Sequence, residues 1–304
     1  MGVWVTPELR FDAVLRQADS KPTSRTPVEW WRLASAAGRL RNIGLDSEHA
    51  IDAISALGSE CSAAAVVLAL IEAHVENATP FSPKVVVVKS GAHAFVWRGI
   101  QRCLPDARFV HLVRDPRAVV SSKLRTVRPY FPDERMAWGG VGLAAIRWCM
   151  YQRAMREAEA ITSKVMEIRY EEFLGTPEGS LERLARFLGA EVNPAARGRY
   201  TVPQAERIVH PLLEDGRLRA DRVDGWRTEI DPGDQRVVEA ICFGEMRRKG
   251  YGPDRSWTPL QRAFVAGSAA PGTGMRMLAH FVRVVRRRLD DRFTPRDYRD
   301  PQRP

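Results

Sequence analysis

The residues best suited to chemistry lie in RFVHLVRDPRAVVSS, residues 108–122. An apolar run ends in Arg114, Asp115, Pro116 and Arg117, and Val-Val-Ser-Ser follows after Ala118, at 119–122. Asp is a favoured helix N-cap, and Pro suits the first helical position. A helix starting there presents unpaired N–H groups and the positive end of its dipole. Arg114 and Arg117 would add fixed charge, and Ser122 a hydroxyl on the second turn. Such a set binds an anion, most naturally a phosphate. The blander reading is a strand-helix turn whose arginines only solubilise the surface.

Other side chains stand where they could join a site. Lys89 closes the run KVVVVKS, and His93 follows it in SGAH. Glu8 lies in the opening GVWVTPELRF. Trp226 could stack on a purine, and Arg219, Arg222 or Arg227 could reach a phosphate. Equally, Trp226 could anchor a loop. Tyr170 and Glu171 are expected to hold a strand-helix corner. His111 sits inside an apolar strand and reads as a satisfied core histidine. Cys61, Cys103, Cys149 and Cys242 form no CxxC pair and have no His at ligand spacing. They read as free thiols in a reducing, cytoplasmic compartment, and no metal site is expected.

The elements that must position these groups alternate. Thr26-Pro27 can cap a helix through WWRLAS, and a long apolar helix is expected over 62–76. KVVVVKS and FVHLV read as strands buried on both faces of a parallel sheet. Helices are expected over 95–103, 116–124 and 135–160, and VMEIRY is a third strand. PEGSLERLARFLG is a helix stopped by Gly189. The class is α/β: a three-layer parallel sheet with helices on both faces. One domain is expected over 1–255. After it, AGSAAPGTG leads to the basic segment RMLAHFVRVVRRRL and a disordered tail, over 256–304.

The 304 residues suffice for one large α/β domain. The longest apolar stretch, 63–71, is too short for a membrane span. No positive-then-apolar leader opens the sequence. The net charge of +10 suits a polyanionic ligand, an anionic lipid surface or nucleic acid. Aromatic and basic residues do not interleave as single-strand binding requires, so no nucleic-acid partner is expected.

The residues around Arg114 carry a resemblance. RFVHLVRDPRAVVSS resembles the 3′-phosphate-binding segment of sulfotransferases that use 3′-phosphoadenylyl sulfate. In that family a strand ends in Arg-Asp-Pro and a Ser stands eight residues after the Arg; here these are Arg114 and Ser122. LPDARF and KVVVVKS resemble the approach to that strand. MEIRYEEFLGTPEGSLERLARFLGA resembles a later strand, turn and helix. RADRVDGWRTEIDPGDQRVVEAICFGEMRRKGYG resembles the segment whose basic loop and Trp close over the nucleotide, which implies roles for Arg219 and Trp226. The likeness runs over about residues 1–252.

It implies a P-loop-type nucleotide fold of bacterial type and sulfuryl transfer from 3′-phosphoadenylyl sulfate to a hydroxyl of a sugar, lipid or small metabolite, without a metal. Glu8 falls where heparan-type members carry a catalytic Glu, and His93 near where cytosolic members place a catalytic His. Of the two, Glu8 is the preferred base, and Lys89 could contact the sulfuryl group. The family also opens with a strand and a Lys- or Arg-Ser-Gly-Thr-Thr loop for the 5′-phosphosulfate. This sequence holds neither that loop nor GxxxxGK[ST]. It begins in phase with the stretch after the loop, so the first strand, loop and helix are expected to be cut away. Neighbouring strands would then expose unpaired backbone and apolar faces, so a stable monomer is not expected unless a partner or another segment fills the slot; a homo-oligomer is one such outcome. A non-catalytic nucleotide- or partner-binding protein is the alternative. The basic C-terminal helix could lie on an anionic membrane or pack on the domain.

Overall fold

A computed structural model describes residues 2–6, 11–20, 24–35, 47–79, 81–128, 131–137, 139–191 and 222–269. In chain order the elements begin β1 (Val3–Val5), α1 (Asp12–Ser20), β2 (Ser24–Arg25), α2 (Pro27–Ser35) and α3 (Ser47–Ser55). Next come β3 (Cys61–Ser62), α4 (Ala63–Ala78), β4 (Val85–Val87), a 3₁₀ turn (Gly91–Phe95) and α5 (Trp97–Cys103). β5 (Phe109–Val113), α6 (Pro116–Arg125), β6 (Val127–Arg128), β7 (Phe131–Arg135) and α7 (Gly140–Ile161) follow. β8 (Val165–Arg169), α8 (Tyr170–Gly175), α9 (Pro177–Leu188), α10 (Trp226–Glu229) and α11 (Pro232–Arg248) complete the set, with a helix over 259–269. The chain is α/β and helix-rich. No helix among the described residues is long and apolar enough to cross a membrane.

Two compact units divide the chain: 1–114 with 151–220, and 115–150 with 221–304. The boundary expected at 255 falls inside the second, and the tail from 270 onward lies outside the described residues.

In the first unit the strands pair parallel, two by two. β1 pairs with β4, Val3 beside Val85 and Val5 beside Val87. β5 pairs with β8, Phe109 beside Val165 and Val113 beside Arg169. Among the described residues, β4 and β5 thus each have one strand partner. The expectation of strands buried on both faces needs correction. Val110 is 38 % exposed and Leu112 58 %. These alternate residues share one face, exposed along β5 although Ile168, beside Leu112 on β8, is buried. His111 and Val113, on the other face, are buried.

The core of this unit is helical. Phe11, Val14, Leu15, Trp30, Ile54, Val66 and Leu70 are buried together. Each large apolar side chain so placed contributes about 1.5–3 kcal/mol. Trp30 satisfies its indole N–H on the Cys61 carbonyl at 2.8 Å. α5 crosses α1 so closely that a Cβ at Gly99 would overlap the Leu15 carbonyl. The ends follow local rules. Glu29 accepts from the Thr26 N–H at 3.0 Å with Pro27 first in α2, and Ser62 caps α4 through the Ala65 N–H at 3.2 Å. Gly189 stops α9 at φ +71°, a conformation that favours glycine.

In the second unit α6 packs on α10 and α11. Val120, Leu143, Trp148, Val238, Cys242 and Met246 are buried there. The helix expected from 135 begins at Gly140, because 131–135 pair with 127–128 as an antiparallel hairpin.

Candidate anion-binding site

The turn after β5 obeys the sequence. Asp115 is the N-cap of α6: its carboxylate accepts from the Arg117 N–H at 2.8 Å, and Pro116 stands first in the helix. Arg114 closes β5 in the first unit, and Ser122 lies on α6 in the second, both half-buried.

Strand register places Arg114. Val113 pairs with Arg169, so the next residues, Arg114 and Tyr170, leave the strands side by side. The Arg114 guanidinium carbon lies 4.4 Å from the Tyr170 ring centre. Such stacking fixes a guanidinium while leaving its N–H edge able to donate. Tyr170 thus holds the corner, as its position suggested.

Lys89 is exposed, just past β4. His93 has a structural task. Its Nε2 accepts from the Phe11 N–H at 3.3 Å, and its ring stacks on Phe11 with centroids 6.1 Å apart. With Nε2 accepting, the neutral ring carries its proton on Nδ1, so it could act as a base only by giving up the Phe11 bond. Glu8 and Arg219 lie outside the described residues.

Arg117 is not an anion ligand here, contrary to the expectation that it adds charge for a phosphate. It is 3 % exposed and bidentate to Asp115, at 3.0 and 2.7 Å. It also reaches Glu239 at 3.1 Å and Asp254 at 2.9 Å. Burial opposes its charge, but the Asp115 bonds and the fields of Asp254 and Glu239 outweigh this and raise its pKa. Glu239 is fully buried and satisfied by Gln235, the Asp254 N–H and the Trp257 indole as well. Trp226 is 3 % exposed, with Arg117 and Arg227 over its ring at 4.1 and 4.6 Å. A purine would have to displace a guanidinium to stack on it. Arg222 pairs with Glu229 at 3.1 Å, and Arg227 with Asp224 at 3.0 Å and Asp254 at 3.3 Å.

Lys123 was not among the residues singled out from the sequence. Burial pushes its ammonium down to about 8, helped by the like charge of Arg147. A buried cation beside another cation is costly, and perturbed groups of this kind concentrate at functional sites. Its only local signal is adjacency to Ser122; Arg147 comes from α7, beyond any helical spacing.

A model of the sulfotransferase family matches residues 6–194, which include β5, α6 and their turn. An omega-hydroxy-beta-dihydromenaquinone-9 sulfotransferase of Mycobacterium bovis is 28 % identical over 112 residues, 35 % of this chain and 29 % of that protein. Human carbohydrate sulfotransferase 2 is 25 % identical over 185 residues, 48 % of this chain and 35 % of that protein. Human carbohydrate sulfotransferase 6 is 26 % identical over 170 residues, 49 % of this chain and 42 % of that protein. The matched parts thus span well under half of these relatives' length. Among solved structures, a sulfotransferase domain from the curacin biosynthetic pathway is similar in fold, with TM-score 0.50 and 17 % identity, covering 81 % of this chain and 88 % of that one.

Proposed function

Since the chain belongs to the sulfotransferase family, we propose that it transfers a sulfuryl group from 3′-phosphoadenylyl sulfate to a hydroxyl. The observation that carries this reading is the Arg-Asp-Pro turn inside the matched span, with Asp115 capping α6 and Pro116 opening it. Arg114 and Ser122 hold the 3′-phosphate. The stack on Tyr170 supports this for Arg114, since it orients a planar donor. The charge of Lys123, whose charged neighbour among the described residues is the like-signed Arg147, supports an anionic ligand in the second unit. Arg219 and Trp226 belong to the segment that closes over the nucleotide.

In the reaction the acceptor oxygen attacks sulfur. An O–S bond forms, the bond from sulfur to the phosphate oxygen breaks, and adenosine 3′,5′-bisphosphate leaves. Glu8 takes the acceptor's proton, and Lys89 offsets charge on the transferring group. His93 is the second candidate base, weakened by the bond its Nε2 makes. The relatives' names, one a menaquinone and two carbohydrate sulfotransferases, support a lipid or sugar hydroxyl as acceptor. Four free cysteines support a reducing, cytoplasmic setting. Exposed Leu260 and Phe264, one helical turn apart, and five arginines over 276–288 support peripheral contact with an anionic membrane. The open face of β5 supports pairing with a second copy or a partner.

The first test is calorimetry with adenosine 3′,5′-bisphosphate, beside adenosine 5′-phosphate. Binding that requires the 3′-phosphate, followed by transfer from 3′-phosphoadenylyl sulfate to a polyprenyl or sugar hydroxyl, supports the reading. Binding without transfer favours a non-catalytic nucleotide-binding role. No binding by the folded chain refutes both.

A further inference from the structure

A second cluster lies in the first unit and takes no part in the proposed reaction. His111 on β5 stands beside its register partner Glu167 on β8, and Glu159 comes from α7. One ligand atom from each of the three lies within 4.8 Å of the others.

The imidazole is the informative member. Its side chain is 8 % exposed, and its Nδ1 is buried without a hydrogen-bond partner. It is therefore not the satisfied core histidine that the sequence suggested. The nearest charged atom is Glu167 Oε2 at 3.6 Å, too long for a hydrogen bond. Leaving a buried polar nitrogen unmade is costly. The Glu167 side chain is 29 % exposed. Glu159 is exposed and makes no hydrogen bond or ion pair among the described residues.

We propose that His111, Glu159 and Glu167 bind a divalent transition metal of the zinc class, with water completing the shell. Bonds of about 2.0–2.1 Å to nitrogen and oxygen set tetrahedral ligands about 3.3 Å apart. The His111–Glu167 separation is already close to that, and exposed Glu159 can swing the remaining distance. An imidazole nitrogen selects against magnesium and calcium, which prefer oxygen ligands alone. The metal ties β5, β8 and α7 together. An isolated two-stranded pair is marginally stable, so such a tie has a structural purpose here.

The test uses the full chain, stripped by chelation and titrated with zinc, with cobalt as the spectroscopic probe. Expected are one equivalent bound, a cobalt spectrum of nitrogen and oxygen ligation, and a thermal midpoint that rises to saturation with zinc. Glu159→Gln, on an exposed side chain, and Glu167→Gln should each weaken binding by more than the roughly 10–100-fold that loss of an outer-shell partner costs. The Glu159 variant keeps the test valid if the Glu167 variant unfolds. No binding, binding untouched by Glu159→Gln, or a thiolate-to-cobalt band from the free cysteines would overturn the assignment.

Discussion

Arg117 Nη1 donates to Glu239 Oε1 at 3.1 Å, joining residues 122 positions apart within the second unit. Both side chains are almost wholly buried, and Asp115 and Asp254 complete the pairing. Removing the arginine takes the shared cation from three carboxylates, two of them almost wholly buried. Arg117→Met is therefore expected to destabilise the protein by about 3–5 kcal/mol. Chemical denaturation measures it. A loss below 1 kcal/mol would mean that the network carries little.

Lys123 makes stability depend on pH in a defined direction. Its folded pKa, about 8, lies below the ordinary 10.5. Between those values the unfolded chain holds the proton and the folded chain does not, so this group makes stability rise with pH across that window. Below about pH 8 both states are protonated and the full cost of the buried charge is felt. Lys123→Met should stabilise the chain at pH 7 by up to about 3 kcal/mol and flatten the profile. Melting curves from pH 7 to 10 decide this; equal profiles would refute it.

Arg114→Ala should cost about 1.5–3 kcal/mol of affinity for adenosine 3′,5′-bisphosphate, as loss of a charge-assisted contact. Ser122→Ala should cost less, about 1 kcal/mol. Unchanged affinity in the Arg114 variant would remove that residue from the site; a larger loss at Ser122 would reverse the two roles.

Leu112 and Ile168 are register partners with opposite exposure, 58 % and 5 %. Leu112→Ser is expected to change stability by no more than about 0.5 kcal/mol, as surface changes do. Ile168→Ala should cost about 2–5 kcal/mol. A comparable loss at Leu112 would show its face covered in solution, and concentration-dependent melting would then point to a second copy.

Leu260 and Phe264, 80 % and 76 % exposed, carry the proposed membrane contact. The Leu260→Ser, Phe264→Ser double variant should fail to float with vesicles rich in anionic lipid while keeping its melting temperature. Retained flotation that salt abolishes would assign binding to the arginines alone.

The sequence carried the local rules well. Asp115 and Pro116 opened α6, Ser62 capped α4 and Gly189 stopped α9, because caps act over three or four residues. FVHLV and VMEIRY were legible as strands and their pairing is parallel, but apolar runs say nothing of which face a helix covers, hence the error at Val110 and Leu112. The Arg114–Tyr170 stack follows from register, which no local pattern displays. The Arg117–Glu239 pair depends on groups far apart in sequence, so Arg117 looked like a phosphate ligand. Lys123 was missed for the same reason: its altered proton affinity comes from burial and from Arg147.

The approach of α5 to α1 has a consequence for how this family member tolerates change. Every other residue carries a Cβ, and at position 99 that atom would overlap the Leu15 carbonyl, which cannot rotate away from its own helix. In a deep mutational scan, position 99 should accept no alternative. Gly58, at φ +99° with open space around it, should admit asparagine or aspartate. Two glycines in one chain would then show opposite substitution spectra, one closed by a neighbour's backbone and one restricted only by its own.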